Sequence, residues 1–144
     1  LLVVGFDKLD EALGDSAPDF HRDALRQESL EVLSALLRDI DVAMPFAGDK
    51  FLLFLPHTPL RGASVVAGRV VEKLSRLEAL PGGTASVGVA CFEPKPYVKE
   101  QPAVSFGSLV REATAALKRA QAAGGARFDA PLPDKPKKSR ISLA

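Results

Sequence analysis

Cysteine is almost missing from this chain: Cys91 is the only one in 144 residues. A single thiol excludes an internal disulfide framework and a cysteine-based metal cluster, and it suits a reducing compartment. Charge of one sign is also missing. The formal net charge is +1, so no bulk field draws the chain to nucleic acid or to a membrane. No apolar run approaches the ~20 residues of a membrane-spanning helix, and no secretory leader is visible. Only two histidines occur, His21 and His57, far apart and without ligand spacing, which favours surface or turn roles over metal binding or catalysis. No internal repeat is present. No initiating methionine is present either. The chain opens on strand-like residues, and the expectation is a C-terminal fragment of a larger protein.

What remains is ordinary globular material, 47% apolar and 26% charged, enough for one domain with its own core. "LLVVGF" is a short β-rich run and predicts a buried strand. Residues 7–20 read as a polar, helix-tolerant turn punctuated by Gly14, Asp15 and Pro18. From Asp23 to Arg38 the residues Leu25, Leu30, Leu33, Leu36 and Leu37 recur at helical spacing and predict an amphipathic helix with a core face. "DVAMPFA" predicts a strand that Pro45 pushes to a sheet edge or bulge. "GD" makes a turn and "KFLLFLP" returns, so a hairpin is expected at about 42–56.

A second helix is expected in "PLRGASVVAGRVVEKLSRLEAL", with Val65, Val66, Val70 and Leu74 as its apolar face. "TASVGVACF" predicts a strand ending near Cys91, which reads as a small buried residue. Residues 93–103 read as an exposed loop. A third helix follows, with Ser105 or Ser108 as its cap and Gly124–Gly125 closing it. "ARF" reads as a last short strand. The Pro-rich tail 129–144 carries Lys135, Lys137, Lys138 and Arg140 and reads as disordered. The basic cluster could touch a partner or nucleic acid; a solubilising end is the simpler account. The order β-α-β-β-α-β-α-β predicts an α/β domain, with a central mixed β-sheet and helices packed around it.

Three phrases in this order resemble the GGDEF family of diguanylate cyclases. "AGDKFLLFLP" resembles the signature hairpin, "ASVGVA" the family's "SIGVA" strand, and "AALKRAQAAGGARF" the closing helix. With the order of strands and helices before them, the resemblance covers residues 1–128. The resemblance implies a nucleotide-cyclase-like fold in a cytoplasmic signalling protein, whose active members join two GTP molecules into cyclic di-GMP. It also implies where that chemistry would sit, because phosphoryl transfer needs carboxylate-held metal and positive groups on the phosphates.

At those positions this chain departs from the family. The metal-binding Asp of the first strand falls on Gly5, leaving Asp7. The guanine-reading Asn falls on Leu13, and a further guanine-reading Asp falls near Arg22, or on Asp23 if the gap sits differently. The signature turn reads Ala47, Gly48, Asp49, Lys50 and Phe51: Gly48 and the carboxylate of Asp49 are kept, while Lys50 replaces a Glu. Gln121 stands for a phosphate-binding Lys, and Gly125 for an Arg. The implied domain is a degenerate one, with no catalytic residues, no metal site and no cofactor.

The family's second site, used for product inhibition, is marked by "RxxD" with five residues before the signature. "RDID" supplies Arg38 and Asp41, "VAMPF" the five residues, and "VAGRVV" places Arg69. An Arg fork matches guanine O6 and N7, a carboxylate accepts from N1–H and N2–H, and arginine neutralises phosphates. The resemblance therefore implies a cyclic di-GMP receptor working through a fused N-terminal domain or a protein partner. The intercalated ligand pair used in the family implies a ligand-mediated homodimer; DNA and membrane are not expected partners. Without that frame, Arg38 and Asp41 are a solvated helix-end ion pair, with Asp39 as an alternative partner. The other reading of the whole chain is a ligand-free interaction or dimerisation module.

Overall fold

The computed structural model describes residues 1–14, 19–93 and 104–131. Most of the loop expected at 93–103 and nearly all of the tail expected at 129–144 lie outside the described residues, as do Asp15 and Pro18. The elements follow the order β1 (Leu2–Phe6), α1 (Leu9–Leu13), α2 (Asp19–Leu36), β2 (Val42–Phe46), β3 (Lys50–Phe54), α3 (Leu60–Leu74), β4 (Ala85–Val89), α4 (Phe106–Ala122) and β5 (Phe128–Asp129). They build one five-stranded sheet in the order β2-β3-β1-β4-β5. All neighbours are antiparallel except the β4–β5 pair, which is parallel. The expected mixed α/β sheet is therefore present, with one more short helix than the pattern predicts.

Strand alternation divides the core between the two faces of the sheet. Leu2, Val4, Phe6, Phe51 and Leu53 point to the side covered by α2 and α3, where they join Leu25, Leu33, Ala67, Val70 and Leu74. Leu1, Val3 and Leu52 point to the other side, against Ala113 and Leu117 of α4. The leucines expected on this helix serve the core, Leu25 and Leu33 fully and Leu30 and Leu36 in part, with Leu37, just past the end of α2, packed there as well. The apolar face of α3 is rotated from the expected one. Val65 is 50% exposed, and the buried stripe is Ala63, Ala67, Val70 and Leu74. Two alanines let α3 approach the sheet closely, a feature that a search for large apolar residues overlooks.

The helix boundaries also differ. α2 begins at Asp19 and ends at Leu36, so Arg38 stands in the following turn and not on the helix. α4 starts on a reciprocal cap: Ser108 N–H donates to Ser105 Oγ at 3.0 Å, and Ser105 N–H donates to Ser108 Oγ at 3.2 Å. Both expected cap residues are used. β5 takes in Asp129, which accepts from Arg119 Nε at 3.2 Å, so order extends past the expected end at 128.

The tightest approach in the fold is between β4 and α4. A Cβ on Gly88 would collide with the backbone of Ala113 and Leu117. Backbone cannot yield as a flexible side chain does, so Gly88→Ala is expected to destabilise the domain by about 3 kcal/mol through overpacking. Urea denaturation checks this.

Candidate functional site

The residues after α2 form a closed turn. Asp41 N–H donates to Arg38 O at 3.0 Å. In return Arg38 donates three times to the Asp41 carboxylate: from its backbone N–H to Oδ2 at 2.9 Å, from Nε to Oδ2 at 3.1 Å, and from Nη2 to Oδ1 at 2.9 Å. Nη2 also donates to the Pro56 carbonyl at 3.0 Å and to Thr58 Oγ1 at 2.6 Å. The Thr58 hydroxyl in turn donates to the same Pro56 carbonyl at 3.1 Å. The guanidinium is thus fixed between the turn and the β3–α3 loop, while 53% of the Arg38 side chain remains exposed. The Asp41 side chain is only 3% exposed. Its hydrogen bonds from Arg38 hold its pKa below the ordinary carboxylate value.

This geometry changes the part expected of Asp41. Its oxygens are already taken by Arg38, so it orients the arginine and offers no open acceptor to a guanine. Arg69 is exposed on α3, about 13 Å of helix beyond Leu60. Among the described residues it shares no hydrogen bond or ion pair with Arg38 or Asp41. The structure therefore joins two of the three expected residues directly and leaves the third on a neighbouring element.

A larger cleft of about 710 Å³ opens where β1 ends, between α1, the β2–β3 turn and the end of α4. The turn is the three residues Ala47, Gly48 and Asp49, because Phe46 pairs with Lys50. Gly48 supplies the left-handed conformation that closes it, with φ +69°. Phe51 is core, set edge-on to Phe6 with ring centroids 6.5 Å apart. Lys50 is paired with Gly5 across the β1–β3 register, and both line the cleft.

Two aspartates in this cleft are engaged by neighbouring donors. Asp7 accepts from Thr84 Oγ1, Ser86 Oγ and Ala126 N–H, each at 2.8 Å. Asp49 accepts from Arg22 Nη1 at 2.7 Å, and Arg26 Nη2 lies 3.9 Å from its other oxygen. Arg22 Nη2 also donates to Asp10 Oδ1 at 2.9 Å. That hydrogen bond, with Asp49 adding its charge, raises the Arg22 pKa above its ordinary value. Asp23 lies outside this arrangement and pairs loosely with Arg26 at 3.4 Å. Gln121 donates to the Phe6 carbonyl at 3.3 Å. A Cβ on Gly125, which has φ +75°, would come within 2.7 Å of the Asp7 carboxylate, so no side chain fits there.

The sequence reading missed Arg22 as an ion-pair partner, and it missed Thr58 and Pro56 altogether. Arg22 had a signal, since it repeats one helical turn before Arg26 and stands where an acidic residue was expected. Thr58 had none, because its role depends on a contact 20 residues away in the chain.

The family model described as "Diguanylate cyclase, GGDEF domain" matches residues 3–127. Among curated proteins, the chain is 32% identical over 91 residues to the cyclic di-GMP phosphodiesterase NbdA of Pseudomonas aeruginosa. That match covers 60% of this chain and 11% of the relative, so the chain spans about a tenth of that protein. Among solved structures, it is similar to the active GGEEF domain of a diguanylate cyclase from Vibrio cholerae, with TM-score 0.73 and 13% identity, over 92% of this chain and 82% of that one. It is also similar to the coiled coil and GGDEF domain of DgcB from Caulobacter crescentus in complex with cyclic di-GMP, with TM-score 0.71 and 17% identity, over 90% of this chain and 68% of that one. At these identities the structural likeness concerns the fold.

Magnesium, the ion an active cyclase would need, does not fit the donors of this cleft. No group of three His, Cys, Asp or Glu side chains converges among the described residues. The oxygens of Asp7 are taken by three donors, and Asp49 is paired with Arg22.

Two measurements test this geometry. Asp7→Ala removes three hydrogen bonds to a carboxylate and is expected to cost about 3 kcal/mol in urea denaturation. Asp41 is held ionised by Arg38 in the fold and not in the unfolded chain. The pair therefore stabilises the domain above the ordinary carboxylate pKa of about 4, and that contribution is lost as pH falls through this value and below. Asp41→Asn is expected to flatten this acid-side slope in thermal melts taken from pH 6 to pH 3.

Proposed function

The chain belongs to the GGDEF domain family, and on that premise we propose that it is a catalytically inactive member that acts as a cyclic di-GMP receptor in the cytoplasm. Its ligand site is Arg38, Asp41 and Arg69. The observation that carries this reading is the Arg38 fork, which is held in place by Asp41, Pro56 and Thr58 while half its side chain faces solvent. Nε and Nη2 are committed to Asp41, Pro56 and Thr58, which leaves Nη1 without a partner among the described residues. An arginine fixed in this way loses little conformational entropy when that nitrogen meets a guanine acceptor or a phosphate. Arg38 and Arg69 present the charge, and Asp41 sets the angle of Arg38. Binding of cyclic di-GMP to a GGDEF domain has a precedent in the complex of DgcB. The domain relays the bound state to a fused domain or a protein partner, or by ligand-mediated dimerisation.

Inactivity is supported by the cleft. Gly5 offers no carboxylate, Asp7 is saturated, and Asp49 is neutralised by Arg22. Lys50 cannot hold a metal ion, and Gln121 brings no charge to a phosphate. A ligand-free interaction module is the second reading, favoured by Val42, Met44, Phe54 and Phe106, each 39% to 54% exposed on one side of the domain.

Calorimetric titration with cyclic di-GMP separates the two. Saturable binding by the wild type is expected, lost in Arg38→Ala and weakened about tenfold in Arg69→Ala. Undiminished affinity in folded Arg38→Ala would move the ligand elsewhere. No heat with the folded wild type would leave the interaction module. Incubation with GTP and Mg²⁺ is expected to yield no cyclic di-GMP, and any product would end the claim of inactivity.

A further inference from the structure

We propose that Arg22 is the resident counter-ion of Asp10 and Asp49 at the edge of the cleft: its guanidinium takes the position between the two carboxylates and thereby excludes a divalent ion from them. The inference rests on the reading of this cleft as non-catalytic and is independent of what binds at Arg38.

The argument begins with where the three side chains originate. Asp10 comes from α1, Asp49 from the β2–β3 turn, and Arg22 from the first turns of α2. Arg22 spans the two carboxylates with its two terminal nitrogens, at 2.9 Å and 2.7 Å. A divalent cation would tie together the same kind of partners, two carboxylates from separate segments. The guanidinium has two advantages in that place. It is covalently part of the fold, so it pays no entropy of association. It is also weakly hydrated, whereas Mg²⁺ gives up its water reluctantly.

Arg26 strengthens the exclusion. One helical turn along the same face, its Nη2 lies 3.9 Å from Asp49 Oδ1, so both Asp49 oxygens have a guanidinium beside them. An incoming ion would meet two fixed positive charges at the carboxylate it needs. One side chain thereby also joins α1, α2 and the hairpin turn.

The test uses Mn²⁺ alone, titrated into the full chain and followed by the electron spin resonance of the free ion. The wild type is expected to leave Mn²⁺ free. Arg22→Ala removes the guanidinium and leaves Asp10 and Asp49 without it, and it is expected to bind Mn²⁺ at least about tenfold more tightly than the wild type. Adding Asp49→Asn to that variant is expected to remove the gain. A folded Arg22→Ala protein with no gain would overturn the proposal, as would a wild type whose Mn²⁺ binding disappears with Asp49→Asn.

A second measurement needs no variant to fold. In the wild type, the Arg22 Nε–H resonance is expected to stay sharp as Mn²⁺ is added, and its selective broadening would place the ion at this pair and defeat the idea. Neither readout involves GTP turnover or cyclic di-GMP. Failure of the receptor reading thus leaves the Arg22 proposal standing, and a cation found in the cleft leaves the receptor reading standing. Product formed from GTP would sink the non-catalytic reading, and the metal titration would then say whether Asp49 takes part.

Discussion

Asp7 is the point at which the sheet, the last helix and the cleft are held to one another. Its backbone N–H donates to the Thr84 carbonyl at 2.9 Å, which continues the β1–β4 pairing one residue beyond the strand. Its carboxylate then gathers two hydroxyls from the start of β4 and the Ala126 N–H from the turn after α4. Gly125 is left without a side chain because that carboxylate fills its space. A charged acceptor with three good donors is worth more than neutral pairs in a partly buried setting. It fixes where β5 can begin, and β5 in turn pairs with β4 through Val87 and Phe128. The floor of the cleft is thus rigid before any ligand is considered.

Two further carboxylates show how much the surroundings decide. Asp41 and Asp49 both lie near one end of a β2–β3 strand, and both meet an arginine. Asp41 is almost wholly buried and its partner Arg38 is half exposed, so the pair presents a positive, oriented group to solvent. Asp49 is 36% exposed, and its partner Arg22 is 29% exposed and tied to a second aspartate. There the positive group is consumed inside the wall. Similar ion-pair chemistry therefore produces a half-exposed, tethered guanidinium at one end of the hairpin and an arginine shared by two aspartates at the other. Fully exposed pairs contribute little to stability; here the consequence is orientation, which Thr58 and Pro56 reinforce for Arg38.

Much of this was legible in the chain because periodicity reports burial. The leucines of α2 and the apolar runs of β1 and β3 each have one dominant neighbour, the core, and their pattern records it. The turn at Gly48 was legible because a short hairpin needs a left-handed residue there. Other features were not. Val65 fits a helical stripe as well as Ala67 does, and only the close approach of α3 to the sheet decides that the alanine faces inward. Arg38 was read as the last helical residue, but the helix stops two residues sooner, where Asp41 captures the Arg38 backbone N–H. The position of Asp41 was plain in the "RxxD" spacing. The tether of its partner was not, because Arg38 is held by Pro56 and Thr58 from the loop before α3, and local sequence carries no record of that contact.

Among the described residues, the thin cover over the outer strands follows from the same packing. α4 lies over β1 and β4, burying Val3 through Leu117 and meeting Gly88 backbone to backbone. Gly88 sets how close the helix sits, and so how little of its width is left to reach the outer strands. Val42, Met44 and Phe54 share the α4 face by register, since Val42 pairs with Phe54 and Met44 with Leu52, yet they remain 39% to 44% exposed. Phe106 from the first turn of α4 leans over Phe54, ring centroids 6.2 Å apart, and covers only the corner. The exposed edge is also blunted, because Pro45 puts a residue without an N–H into the outermost strand and weakens any strand added there. Whatever meets this face must therefore do so through side-chain packing against Val42, Met44 and Phe54, and extension of the sheet is disfavoured.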